Sequence, residues 1–497
     1  MAEAQRRHSN HHDQEKIYGC RDQTMINKEI FREYDIRGIA DTDLTSPVIE
    51  LLGRAFASYL QRKSIGTVTV GYDARLSSPR LCDAISGGLR AEGVNVVHIG
   101  LCPTPALYFS LYHLNPGAGV MITGSHNPAE FNGFKLCVGH DTIYGDEIQQ
   151  IGRLVTERVE SRESQAGAAG SLLHNPILPS YSDYLRDKFP PRDMMPLKIV
   201  LDSGNGTAGL VAPAVIRAMG CRVIELNSEP DGTFPNHHPD PTIPNNLAVL
   251  IDTVRKEKAD LGIAFDGDAD RIGAVDEQGT IVWGDQLMVI FARSILKSLP
   301  EALFVSEVKC SQTMYDDIRA HGGRAIMWKA GHSLIKAKMR ETGAAMGGEM
   351  SGHLFFADKY FGYDDAIYAA CRLVELLADS KSRDAGVSFS SLIADLPRTF
   401  TTPEIRFDCP DAIKFKVVEK AKEFFARGDG LPERPREVIT VDGVRAVFAG
   451  GWGLLRASNT QPVLVMRFEA KDAASLNTIR SMMEQTVDAF MKDVQAA

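Results

Sequence analysis

Three times along this chain a short run of small apolar residues gives way to a polar loop and then to a helical stretch. The first run is Thr67-Val68-Thr69-Val70, followed by Gly71-Tyr72-Asp73-Ala74-Arg75 and a helix start at Ser78-Pro79. The second is Lys198-Ile199-Val200-Leu201, followed by Asp202-Ser203-Gly204-Asn205-Gly206-Thr207 and an apolar helical stretch to Met219. The third opens at Leu303-Phe304-Val305 and ends in Lys309-Cys310-Ser311. Strands that alternate with helices bury their apolar faces by layering helices on a sheet. Recurrence of one such unit restricts the chain to several related α/β domains, and 497 residues leave room for three or four.

The units divide the chain into segments 27–177, 178–281 and 282–396. From Pro397 the character changes. Asp442-Gly443 is a hairpin signal between two β-type runs. The helix expected after Ala470 carries Leu476, Ile479, Met483, Val487, Phe490 and Val494 at helical spacing, a stripe suited to packing on that sheet. The expected architecture is therefore α/β: three related α/β domains with mixed sheets, plus a C-terminal α+β domain over 397–497. Residues 1–26 read as a disordered polar tail, in which His8, His11 and His12 form no convincing metal site.

Bulk properties exclude several function classes. A net charge of −9 argues against nucleic acid or an anionic membrane as partner. No apolar run approaches the roughly 18 residues of a membrane span, and the N-terminus lacks the apolar core of a signal peptide. Eight cysteines are scattered without paired spacing, several of them in apolar segments such as those around Cys137 and Cys371. Reduced, buried thiols in a cytoplasm fit better than a disulfide framework.

Two stretches carry chemistry. In Thr123-Gly124-Ser125-His126-Asn127-Pro128 the serine follows a small apolar run, Ala118 to Ile122, that reads as a buried strand. Gly124 permits a sharp turn, and Asn127-Pro128 is a turn or helix-start signal. A serine at such a corner sits among backbone N–H groups that favour a phosphate, and His126 is placed to donate to it or to shuttle protons. On these residues alone the stretch is equally a polar turn with a helix cap. The second stretch is Asp266-Gly267-Asp268-Ala269-Asp270-Arg271, whose three carboxylates can converge on one hard cation: magnesium, calcium or manganese rather than zinc. An EF-hand loop fails here, because its sixth position requires glycine and holds Arg271, and because both flanks read as strands.

With these stretches in view, the chain resembles the α-D-phosphohexomutase superfamily, most closely its phosphomannomutase/phosphoglucomutase branch. Four motifs carry the resemblance in the family's order. They are Thr123 to Pro128, Asp266 to Arg271, Gly348-Glu349-Met350-Ser351-Gly352-His353, and Arg456-Ala457-Ser458-Asn459-Thr460-Gln461-Pro462. Phe31-Arg32-Glu33-Tyr34-Asp35-Ile36-Arg37-Gly38 is similar to the family's opening segment. The resemblance spans about residues 27 to 497 and implies four domains around a central active-site cleft.

It also implies the chemistry. Phosphorylated Ser125 would be the donor, with Mg2+ held by Ser125, Asp266, Asp268 and Asp270, and with Arg271 offsetting phosphate charge. The phosphoryl group would pass to a hexose 1- or 6-phosphate, giving glucose 1,6-bisphosphate or mannose 1,6-bisphosphate, which turns end for end. Arg456, Ser458, Asn459 and Thr460 would clamp the far phosphate in either orientation. Glu349 and Ser351 would bind the sugar hydroxyls at carbons 3 and 4, common to glucose and mannose. Lys135 and His353 are the candidates for proton transfer, supported by Arg37 and Tyr34, while His126, Lys309 and His332 would contact substrate. The site must then be locally positive within an acidic chain, through Arg37, Lys135, Arg271, Lys309 and Arg456. Met350 departs from the glutamine usual in phosphoglucosamine mutases, the runner-up activity. A serine-nucleophile phosphatase and a non-catalytic phosphosugar-binding protein are the rivals of other classes. The expected partners are small hexose phosphates alone, with the chain a monomer or a dimer.

Overall fold

A computed structural model describes residues 26–161, 168–191, 197–458 and 462–496. Of the expected N-terminal tail only Ile26 falls among them, packed against the first core; His8, His11 and His12 lie outside the described residues.

The three repeats share one topology. In the first, the parallel strands Thr67–Tyr72, Asn95–Leu101 and Gly117–Ile122 run with Thr67–Tyr72 in the middle, and Phe131–Val138 adds antiparallel beside Gly117–Ile122. The second sheet repeats this with Lys198–Asp202 between Arg222–Leu226 and Leu261–Phe265, then antiparallel Ile272–Asp276. The third places Leu303–Glu307 between Arg324–Trp328 and Met346–Gly348, then antiparallel Leu354–Phe356. All three sheets are mixed, and each carries its fourth strand on a tight return from the third. Those three returns are the Ser125 loop, the aspartate loop and the Glu349 loop. The chemistry therefore sits at the same place in each repeat, at the ends of buried strands.

One continuous apolar core runs through all three repeats, from Leu107 and Met121 through Ile199 and Phe265 to Phe304 and Tyr368. Both faces of Leu261–Phe265 are buried, as expected of a central strand covered by helices on each side. Shared burial of this kind fixes the three loops relative to one another, because close-packed interiors do not deform continuously.

The C-terminal part is built differently. Its six-stranded sheet is antiparallel throughout, with Gly451–Ala457 and Val463–Ala470 at its centre. Helices Asp411–Arg427 and Ala473–Ala496 cover one face. Ile479, Met483 and Val487 are buried in that core, and Leu476, Phe490 and Val494 pack at its edge, so the stripe read from the sequence does what its spacing implied. A fully buried Arg445 ties this sheet to the third repeat by donating to the carbonyls of Val308 and Cys310 at 2.7 and 2.8 Å. The seven described cysteines are all free thiols, and Cys221 alone among them is not buried. No described helix is long and apolar enough to cross a membrane.

Candidate active site

The three loops and the C-terminal sheet meet at a cleft of about 1140 Å³, lined from all four parts of the chain. Arg37, Lys135, Arg271, Lys309 and Arg456 all face it, as the sequence led one to expect. The lining is nonetheless close to balanced, with eight Lys or Arg against seven Asp or Glu. The cleft relieves the chain's excess of negative charge rather than opposing it strongly, and a bound cation would tip it positive.

Ser125 is buried at a backbone φ of 49°, a left-handed conformation that costs a non-glycine residue about 1–3 kcal/mol and persists only where surroundings enforce it. Its amide donates to Thr123 Oγ1 at 2.8 Å. Its hydroxyl donates to Asp266 Oδ2 at 2.9 Å and lies 3.1 Å from His126 Nδ1. Of the two readings open for Asn127-Pro128, a turn or a helix start, the turn is the one found. No helix follows Pro128: the chain passes through a turn into Phe131–Val138, which pairs antiparallel with Gly117–Ile122. The apolar alternation of that strand, Phe134, Leu136 and Val138, rewards pairing over helix, so any phosphate on Ser125 is met by turn amides and not by a helix end.

The aspartates converge as their spacing suggested. Oxygens of Asp266, Asp268 and Asp270 come within 4.8 Å of one another, and all three side chains are fully buried. Asp266 Oδ1 accepts the backbone N–H groups of Asp270 and Arg271, each at 3.1 Å, which shapes the loop. Asp268 Oδ2 accepts from Thr104 and from Lys135 Nζ, the latter at 3.0 Å, and Lys135 also pairs with Asp270. Asp268 Oδ1 is buried with no hydrogen-bond partner. An orphaned carboxylate oxygen among oxygen-only donors fits a hard divalent cation. Burial, with the charges of Asp270 and Asp268 beside it, pushes the Asp266 carboxyl well above the usual range. Burial acts the same way on Asp270, but Lys135 and His353 outweigh it and hold that carboxyl well below. Burial would lower Lys135, yet Asp268 and Asp270 raise it well above its ordinary value.

The Glu349 loop is locked to the aspartate loop. Ile272 donates to Gly352 O at 3.1 Å, and Gly352, at φ 92°, leaves no room for a side chain: a Cβ there would lie 2.2 Å from Ile272 O. This sets His353 between two carboxylates, with Nδ1 2.9 Å from Glu349 Oε2 and Nε2 3.1 Å from Asp270 Oδ1. Ser351 Oγ lies 3.2 Å from the same Nδ1, and the Gly331 amide donates to Glu349 Oε1 at 2.7 Å. Burial lowers His353, but Asp270 and the Glu349 hydrogen bond carry it up to about 9; burial raises Glu349, but His353 carries it down to about 2.

The sign of the resulting pH dependence follows. The stabilisation from His353 is complete below its ordinary 6.5 and is lost as pH rises through about 9. That from Glu349 is complete above its ordinary 4.5 and is lost as pH falls through about 2. In EDTA-treated protein the His353 imidazole should titrate near 9 by NMR, and His353→Gln should abolish the loss of stability between pH 6.5 and 9. Titration at or below 6.5 would contradict the carboxylate clamp.

The remaining expected contacts ring the cleft. His332 lies with its Nδ1 3.6 Å from Asp364, and burial, with Lys336 and Lys135 nearby, keeps it well below its ordinary pKa. His126 is likewise neutral, through burial and the charges of Arg271 and Arg37. Tyr34 donates to Ala330 O at 2.9 Å, and Arg37 to Asn127 Oδ1 at 3.0 Å. Lys309 pairs with Glu404 at 2.8 Å, and Arg456 with Asp442 at 3.1 Å. Ser458 is buried beside them. Asn459 and Thr460 lie outside the described residues.

Comparison with known proteins decides the family. The chain matches four family domains: phosphoglucomutase/phosphomannomutase alpha/beta/alpha domains I, II and III over residues 28–162, 179–279 and 283–400, and the phosphoglucomutase/phosphomannomutase C-terminal domain over 404–486. It is 44% identical, over 93% of this chain and 96% of the other, to a phosphomannomutase/phosphoglucomutase of Pseudomonas aeruginosa. The chain belongs to the phosphoglucomutase/phosphomannomutase family. A phosphoglucomutase of Neisseria gonorrhoeae is 40% identical over 93% of this chain and 97% of its own. A solved family member from Burkholderia thailandensis superposes with a TM-score of 0.84 at 38% identity, covering 94% of this chain and 98% of that one. The α-D-phosphohexomutase resemblance and the four-domain architecture read from the motifs both stand.

Within this family framework, several residues that shape the site were not singled out from the sequence. Thr104 reaches the aspartate loop from the first repeat, its N–H donating to Asp268 O at 2.9 Å. Glu307 accepts the Met350 amide at 3.1 Å and is carried up to about 7, chiefly by burial, against the pull of Lys309. Asp364 is buried beside His332 and takes Lys336 at 2.9 Å. Asp73 and Arg75 lie directly behind Ser125. The only signal for the last pair was an Asp-x-Arg at the end of a buried strand.

Proposed function

We propose that the chain is a phosphohexomutase that interconverts hexose 6-phosphates and hexose 1-phosphates, mannose and glucose among them, through phospho-Ser125 and a hexose 1,6-bisphosphate. The observation that carries this reading is the convergence of the serine, aspartate and Glu349 loops on one cleft whose far wall holds Arg456. A phosphatase has no use for the last two.

Asp266, Asp268 and Asp270 would hold Mg2+, which would supply charge neutralisation to the transferring phosphoryl group. The protein does the rest. The bond from Ser125 Oγ to phosphorus breaks as one forms to the sugar hydroxyl oxygen, which gives up its proton while the serine oxygen takes one. His126 lies 3.1 Å from Ser125 Oγ, and Lys135 and His353 pair with Asp270, so these three are the groups placed to take the sugar hydroxyl's proton and to return one to the serine oxygen. Arg271 and Arg37 add positive charge at the same wall, with Tyr34 and Lys309 as substrate contacts. Glu349 and Ser351 hold the sugar by hydroxyls shared between the epimers, and His332 contacts the ring. Arg456 and Ser458, joined by Asn459 and Thr460, grip the distal phosphate by a fork that serves either orientation of the bisphosphate. The free thiols of the described residues, six of the seven buried, favour a reducing compartment, the cytoplasm.

Specificity is the test. Because the shared hydroxyls are read and carbon 2 is not, mannose 1-phosphate and glucose 1-phosphate should give kcat/KM values within about tenfold, a gap of roughly 1.4 kcal/mol. Glucosamine phosphate should be much poorer, and Glu349→Gln should lower both hexose activities alike. A wild-type preference for glucosamine phosphate would move the chain to the neighbouring activity. Loss of one hexose alone in Glu349→Gln would show that Glu349 reads something else.

A further inference from the structure

Behind the Ser125 loop, Arg75 spends both terminal nitrogens of its guanidinium on backbone. Its Nη2 donates to Ser125 O at 2.8 Å and to Asn127 O; its Nη1 donates to Phe131 O at 2.8 Å and to Pro128 O. Its Nε donates to Asp73 Oδ2 at 3.2 Å, so all five N–H donors of the group are taken. Asp73 completes the cage by accepting the Gly124 amide at 3.1 Å and Ser78 Oγ at 2.6 Å. The side chain is fully buried, and the Phe234 ring, from the second repeat, lies 5.2 Å from the guanidinium carbon. A Cβ on Gly124 would stand 2.3 Å from that guanidinium, so glycine is required where loop and arginine touch.

We propose that Arg75 is a positioning residue of the phosphoryl-transfer site, its buried guanidinium gripping four carbonyls of the loop and so holding Ser125 left-handed with its hydroxyl on Asp266. Three points carry this. The φ of 49° needs enforcement, and the fork holds the serine's own carbonyl and the chain after it as far as Phe131, while Asp73 holds the Gly124 amide before it. Drawing those carbonyls inward also denies them to a helix after Pro128, which explains the turn found there. Finally, C=O and N–H point oppositely across a trans peptide, so anchoring Ser125 O turns the His126 N–H away from the arginine. The arginine thereby selects which edge of that peptide is left for a phosphate. Lysine cannot replace it, because an ammonium lacks the planar fork.

The inference rests on Ser125 as the phosphoryl carrier, so the experiment reads geometry and chemistry separately. Hydrogen–deuterium exchange on the full chain reports the loop; steady-state kinetics and the phosphorylated fraction of Ser125, by intact mass, report function. In Arg75→Lys, exchange should rise across residues 123–131 and stay at wild-type levels elsewhere. Its kcat should fall about 100-fold while KM stays within about threefold, as expected when a reacting group is misplaced and substrate contacts are kept. Asp73→Asn, which keeps the arginine but weakens its anchor, should show the same split at about tenfold, and it carries the test if Arg75→Lys does not fold. Unchanged loop exchange in a folded variant would overturn the proposal, as would a loosened loop with wild-type kcat, or KM and kcat moving together. A loosened loop in the variant combined with no phosphate and no turnover in wild type would overturn the mutase reading and leave the loop-holding role standing.

Discussion

Ser125→Ala should lose turnover by at least about 10³-fold while remaining folded, the scale seen when a nucleophile acting as part of a unit is removed. Alanine keeps the Cβ, so the left-handed backbone is no worse than in wild type. What disappears is the oxygen that donates to Asp266 and lies beside His126. No neighbour can substitute: Thr123 Oγ1 is occupied by the Ser125 amide. Intact-mass analysis should show one added phosphate on a fraction of wild-type protein and none on the variant. Activity near wild type in Ser125→Ala would remove the covalent donor from the account.

Asp268→Asn should cost nearly as much, about 10²–10³-fold in kcat, because several kcal/mol of charge neutralisation at the transferring group depend on the cation. The substitution is close in shape, so Thr104 keeps an acceptor while the charge opposite Lys135 is lost. It also replaces the orphaned Oδ1 or its partner by an amide that donates where a cation should bind. Titration with Mg2+ followed by calorimetry should show weakened binding in the variant, independently of turnover. Full activity in EDTA-treated wild type would make the loop structural.

The local parts of this site were legible in the sequence because their chemistry is written in adjacent residues. Asp266, Asp268 and Asp270 converge through a loop only six residues long, and Ser125 is marked by the glycine before it and the strand behind it. The strand runs at Thr67, Lys198 and Leu303 gave the repeats away by composition alone. What failed was whatever depends on distance along the chain. Asn127-Pro128 reads as either a turn or a helix start, and the choice rests with Arg75, fifty residues earlier, which claims the carbonyls of the turn. Thr104 and Asp268 are 164 positions apart, and no pattern joins them. Protonation states were equally hidden. Lys135 and His353 were both candidates for proton transfer, yet burial lowers both and the carboxylates beside them more than offset it, a result of packing that spacing does not encode. The equivalence of the three loops also emerged only once the strand order showed each on the same return.

The central claim is that Ser125 passes its phosphoryl group to a hexose phosphate and takes one back. Protein labelled with ³²P on Ser125, mixed with unlabelled glucose 1-phosphate or mannose 1-phosphate and quenched on the millisecond scale, tests it directly. Label should appear in hexose bisphosphate first, then in hexose monophosphate, with little in inorganic phosphate. Label released as inorganic phosphate, or retained on the protein while sugar is converted, would contradict it.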